Sequence, residues 1–452
     1  MDKILSQLKF AYQYIVNSIG FYPTLISIFF FALALLMLYL EAQGLSSHFK
    51  EDLPFMIITN GETARLILSS ITTGVISLTV FSFTMVMLVL NQASANFTPR
   101  VIPGLISYKS NQRVLGLYLG TLVYTLIIMV NVRAEYYNSS LQDNSLPGFS
   151  IFLAMCFTFL CLSFFVYFIH SISQTIQIES ILESIHTVTH KELSKAIEED
   201  NGPEVPNVFV NSHTWHYIES PKTGYLQSLD EQAVLELCCK YNVVLDFELS
   251  LGNFLIVGIP FARINKRLDN MDEFKENFFE LVDFYREERP SVNYLFGFKH
   301  ITESAVRALS PGINDPGTAI KAIDYITDLF VLRMQLTDQK VLCDKDGAAR
   351  IRFQHETFEN LYALSLSPIR LYGKGSSVVV LRLLYLLRNL LFKVQEYPHL
   401  KPVLSQEAEL LLFDADEEIH NPGDRQKINV QVQELNKMNV LYTALPLLQV
   451  KK

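Results

Sequence analysis

Polar and apolar positions divide the chain into an apolar amino-terminal part and a mixed remainder. Leu66 to Gln92, LILSSITTGVISLTVFSFTMVMLVLNQ, runs 27 residues without an ionisable side chain, more than the ~20 a helix needs to cross a bilayer. Similar runs at Phe21 to Leu40, Val114 to Val132 and Phe149 to Ile169 predict three further spans. At roughly 100° per residue, Ser70, Thr73, Ser77, Thr84 and Asn91 of the second span share a stripe about 60° wide, interrupted by Phe81 and Leu88. In lipid a hydroxyl face packs against another helix or lines water.

Residues 1–20 place Ile4, Leu8, Ala11, Tyr12, Ile15 and Ile19 on one side, as a short interfacial helix does, and the first long run exceeds a signal-peptide core, so it reads as a retained span. Gly116 and Gly120, in the third span, allow close helix approach, within the chain or between copies. The fourth span is expected to continue as a connecting helix over 173–200, on which Glu183, His186 and His190 fall on one face, a spacing open to a metal ion.

Beyond the break at Asn201 to Asn207, alternating stretches around the helix Asp230 to Tyr241 predict a small β-rich module over 208–267. Its Gly252-Asn253 turn resembles those of lipoyl- and biotinyl-carrier sandwiches but holds no lysine, which excludes a carrier role. From Met271 to the end, 271–452, the pattern is helical. There Ser310, Pro311 and Gly312 stop one helix, Asn314 and Asp315 lead into the next, and Asp315 can cap it with Pro316 at its first position. This reads as a fixed corner; alternatively, the free N–H groups after Asp315 hold an anion together with Arg307. Ser377 to Leu391 is apolar enough to suggest a fifth span, but Arg382 and Arg388 would cost at least ~5 kcal/mol at mid-membrane. The fold class expected is mainly α: a four-helix transmembrane domain (21–172), then a cytosolic α+β domain of small β-rich module plus helices.

Charge adds an orientation. The second loop carries Arg100, Lys109 and Arg113 without an acid, whereas the third has two acids and no Lys or Arg past Arg133. The positive-inside rule then puts both termini in the cytoplasm and the protein in the inner membrane as a multi-pass protein. The three cations sit at the inner surface, drawing anionic lipid head groups or gathering anions at a pore mouth. Apolar residues make up 50% of the chain, charged residues 18%, and the net charge is −9. Residues 1–172 carry 8 Lys+Arg and 7 Asp+Glu and the remainder 29 and 39, so the soluble part is acidic at −10, which argues against nucleic acid as a partner. None of the five cysteines has disulfide or zinc spacing.

Four amino-terminal spans, the loop FTPRVIPGL (Phe97 to Leu105) leading into RVLGLYLGTLVY (Arg113 to Tyr124), and RALSPGINDPGTA (Arg307 to Ala319) together resemble a bacterial family of predicted membrane proteins with a domain of unknown function. The resemblance covers nearly the whole chain. It implies an inner-membrane protein with a cytosolic carboxyl-terminal domain, and no reaction or ligand. Thr98-Pro99-Arg100 stands where Ser-Pro-Arg is common in that family, and Gly317 where a bulkier residue is usual.

No nucleophile elbow, phosphate loop or His-Glu-x-x-His occurs, so neither an enzyme nor a cofactor is expected. Proton-coupled transport is disfavoured by spans without ionisable groups at depth. Two readings stand. In one, a homo-oligomeric pore or ion channel is lined by Ser70, Thr73, Ser77, Thr84 and Asn91, with Phe81 and Leu88 as apolar constrictions, the conducted ion being open. In the other, the spans only anchor a cytosolic sensor or scaffold, with membrane lipids as partners.

Overall fold

The computed structural model describes residues 20–43, 61–96, 109–135, 147–175, 178–200, 206–285, 288 and 290–450. They fall into two compact units, the first comprising Met1–Ala95 and Val101–Gln177, the second Ile178–Lys452 with the short segment Asn96–Arg100. The expected interfacial helix over 1–20, all but its last residue, and most of each inter-span loop lie outside the described residues.

Four helices long and apolar enough to cross a membrane make up the first unit: α1 (Phe21–Ala42), α2 (Gly61–Asn96), α3 (Lys109–Glu135) and α4 (Gly148–Thr175). The two glycines of α3 are spent inside the chain. A Cβ at Gly116 would lie 2.7 Å from Ile26 Cδ1, and one at Gly120 the same distance from the Phe30 ring, so they let α1 approach rather than a second copy. At the end of α1, the buried Glu41 reaches α4, whose first amides have no partner in their own helix. Its Oε1 accepts from the Ser150 amide at 2.9 Å and from the Ser150 hydroxyl at 3.1 Å, while the Tyr124 hydroxyl donates to the Ser150 carbonyl.

The second unit opens on α5 (Ile178–Glu198). Whether α4 and α5 are one rod turns on residues 176–177, outside the described set, but α5 is no bare connector. Ile181, Leu182, Ile185, Thr189 and Leu193 are buried, a helical stripe packed on α8 (Tyr294–Ala308) and α9 (Pro316–Arg333). Past its end, Asp200 accepts from the Thr337 amide and hydroxyl, both at 2.8 Å, and Glu199 from the buried Lys340.

The strands are β1 (His216–Glu219), β2 (Gly224–Leu229), β3 (Leu245–Phe247), β4 (Phe254–Leu255), β5 (Pro260–Ile264), β6 (Val282–Tyr285), β7 (Gln339–Cys343) and β8 (Ala349–Gln354). They form a sheet ordered β1-β5-β3-β8-β7 and a smaller one ordered β4-β2-β6. Strands therefore come from beyond Met271, where the sequence reads as helical. Charges break up the apolar run in both strands: β7 holds Lys340, buried and bonded to Glu199 and Glu231, and β8 holds Arg350 and Arg352, the latter bonded to its parallel-strand neighbour Asp246 at 2.8 and 2.7 Å. Their turn is closed by the Asp344 carboxylate, which accepts from the Asp346 and Ala348 amides, with Gly347 at φ 82°. Two helices lie between strands β2 and β6: α6 (Glu231–Tyr241), whose Ala233 amide is capped by Asp230, and α7 (Met271–Glu280).

After β8 come α10 (Phe358–Gly373), α11 (Ser377–Lys393), α12 (Lys401–Glu418) and α13 (Pro422–Lys437). The apolar α11 buries Val379, Val380, Leu383, Leu384, Leu387 and Leu390 within this unit, and Arg382 pairs with Asp324 of α9, so it is a core helix and not a span. The last residues run extended along α13. Asn436 and Asn429, seven apart, each hold one tail residue by paired amide bonds, to Leu445 and Leu448.

Candidate functional site

The face that α2 buries is set by Ala64, Leu68, Ile71, Val75, Ser82 and Val89, which at about 100° per residue fall on one narrow line. Ser70, Thr73, Ser77, Thr84 and Asn91, with Leu88 and Phe81, are all exposed and lie on the opposite side. The polar stripe is thus turned away from the other described spans. Ser70, Ser77 and Thr84 donate to the carbonyls of Leu66, Thr73 and Val80 one turn back, at 2.7, 2.9 and 2.9 Å. That satisfies each hydroxyl hydrogen and leaves the oxygen lone pairs facing outward. Phe81 sits at the stripe's margin with its ring edge-on to Phe165 of α4, centroids 5.6 Å apart. Thr72, off the stripe, meets another span, its hydroxyl 3.4 Å from that of Thr125 on α3.

Of the three loop cations, Arg100 lies outside the described residues, and Lys109 opens α3 with its side chain undescribed. Arg113 lies over the Tyr22 ring at 5.5 Å, uniting a basic and an aromatic residue of the kinds that settle at head-group level.

In the second unit the Ser310 to Pro316 corner is built as its residues dictate. The Ser310 hydroxyl donates to the Arg307 carbonyl at 2.6 Å, the Asp315 amide to the Ala308 carbonyl at 2.7 Å, and Asn314 takes φ 48°, a left-handed value asparagine tolerates. Asp315 caps α9, accepting from the Thr318 amide at 3.2 Å and the Thr318 hydroxyl at 2.6 Å; the hydroxyl bond holds its carboxyl below the usual range. Pro316 is the first helical residue. Pro311, Gly312 and Asn314 are exposed, and Arg307 is half-buried at the end of α8.

The helix-face grouping on α5 meets a partner the sequence does not announce. His186 Nε2 lies 2.8 Å from Asp328 Oδ2 of α9, with its ring stacked on Tyr325 at 4.6 Å. His190 Nε2 is 4.0 Å from the same oxygen, and its Nδ1 is 3.4 Å from the Ser194 hydroxyl. With Lys191 and Lys195 these line a shallow open groove. Glu183 does not complete a ligand set: His186 is turned toward α9, and among the described residues no three His, Cys, Asp or Glu side chains stand close enough to hold a metal ion. The groove ties α5 to α9. Asp328 and Tyr325 were invisible beforehand because they lie on another helix, 142 residues along the chain in the case of Asp328.

A family model described as "Predicted membrane protein (DUF2254)" matches residues 16–389. Uncharacterized proteins of Mycobacterium bovis and Mycobacterium tuberculosis are each 22% identical over 336 residues, covering 72% of this chain and 63% of their own length. The chain thus spans less than two thirds of these relatives. No solved structure matches.

Proposed function

Since the chain belongs to the DUF2254 family of predicted membrane proteins, we propose that it works within the bilayer as a homo-oligomeric pore, with α2 lining the path. In this reading it resides in the inner membrane, both termini cytoplasmic, and carries out no enzymatic step. The observation that carries the reading is the orientation of the stripe: five polar residues line up on the face of α2 that, among the described residues, no other helix covers. Around an axis, outward hydroxyl oxygens replace part of an ion's hydration shell without holding it, and Leu88 narrows the path by dewetting.

Back-bonding of Ser70, Ser77 and Thr84 favours a second reading, an anchor for a cytosolic sensor or scaffold, because hydroxyls satisfied this way tolerate lipid. Ion flux from liposomes separates the two. Leu88→Ser is the preferred variant, since Phe81→Ser also removes the contact with Phe165. A rise in leak for Leu88→Ser over wild type is expected. Silence of wild type and both variants, together with monomeric particles, would leave the anchor.

A further inference from the structure

The three-stranded sheet ends in a tip that leaves its apolar side chains in the open. Phe254, Ile256, Val257 and Ile259 are 55, 55, 57 and 52% exposed, four large apolar residues within six positions. The tip is nonetheless firmly built. The Gly258 amide donates to the Ser220 carbonyl and the Ser220 amide to the Ile259 carbonyl, both at 2.9 Å. The Val257 amide donates to the Thr223 hydroxyl at 3.2 Å, and Gly258 supplies the φ of 79° that the turn requires. Side chains of this kind held outward by a fixed backbone mark a contact surface.

Charge identifies the occupant. Residues 220–229 and 249–262, which make up the tip, contain one lysine, Lys222, and no acid, within a carboxyl-terminal part of net charge −10; of the acids that border it, Glu219 stands opposite Pro260 and Glu248 is paired with Arg263. We propose that this tip inserts into the head-group region of an anionic bilayer, the four apolar side chains entering the acyl boundary and the exposed Lys222 meeting lipid phosphate or carboxylate. Aliphatic and aromatic residues beside a cation are what such an interface takes up. The candidate spans of the same chain keep a bilayer at high effective concentration, so a weak site suffices.

The test uses the full-length protein in liposomes containing phosphatidylglycerol. The chain has one tryptophan, Trp215, so Val257→Trp in a Trp215→Phe background reports from the tip alone, with Ile256→Trp as a second reporter should the first fail to fold. Phe413→Trp, on the exposed face of α12, is the control. Lipids spin-labelled near the head group should quench the tip reporters at least ~2-fold more than the control, with the excess reduced by high salt. Quenching equal to the control overturns the proposal. So does a tip emission that is blue-shifted in detergent, returns to the red on dilution and ignores labelled lipid, since a second copy would then cover the tip.

Discussion

The Ser310 to Pro316 corner was readable one residue at a time because its chemistry is local: a proline and glycine to stop, an aspartate to cap, a proline to start. The cap makes a prediction of definite sign. Asp315→Ala should cost ~1 kcal/mol of unfolding free energy at neutral pH. The Thr318 hydroxyl lowers the Asp315 pKa from its ordinary 3.8 in the folded state, so the ionised cap contributes fully above that value and is lost as pH falls through the folded one. Denaturant unfolding of both proteins should show the gap at pH 7 and its closure in strong acid; a constant gap would assign the loss to packing instead. His186 makes the opposite case: its own spacing suggested Glu183 as companion, while Asp328 and Tyr325 arrive through tertiary contact, which periodicity does not encode.

Among the elements, the apolar spans were legible because bilayer crossing imposes length and composition together. The strands β7 and β8 were not, since Lys340, Arg350 and Arg352 interrupt them while the acids that pair with these cations, Glu231, Asp344 and Asp246, lie outside the two strands. Helix α5 read as a connector because its buried stripe is short and flanked by charges, yet its fit onto α8 is exacting. A Cβ at Gly297 would fall 1.7 Å from Thr189 Oγ1 and 2.7 Å from Thr189 Cβ. Alanine has the better helix propensity by up to ~1 kcal/mol, but overpacking costs about 1–3 kcal/mol, so the clash decides the sign. Gly297→Ala should lower the unfolding midpoint, and Thr189→Ala should restore it only in part because Cβ remains. Full restoration would mean that Oγ1 and Cγ2 of Thr189, and not its Cβ, set the spacing.

At the scale of the whole molecule, loop charge predicts a topology that the helices themselves leave free to run in either direction. Reporter fusions at Asn138 and Asn207 should lie on opposite sides of the membrane; the same side for both would overturn the four-span arrangement with cytoplasmic termini. The division at Gln177 and Ile178 was foreshadowed by the change from a net +1 to a net −10 along the sequence. What the sequence could not convey is which face of α2 the remaining spans would leave uncovered, because all four are apolar around most of their circumference.

The bond from Glu41 to Ser150 joins residues 109 apart in sequence, and this bears on biogenesis. As the ribosome delivers the spans in order, α1 enters the membrane well before α4 has been made. The amide and hydroxyl of Ser150 reach Glu41 only when the last span is seated, so α1 waits on α4 for part of its polar shell. A chain halted after α3 would still contain its close α1–α3 packing but would lack the two bonds that Ser150 gives Glu41.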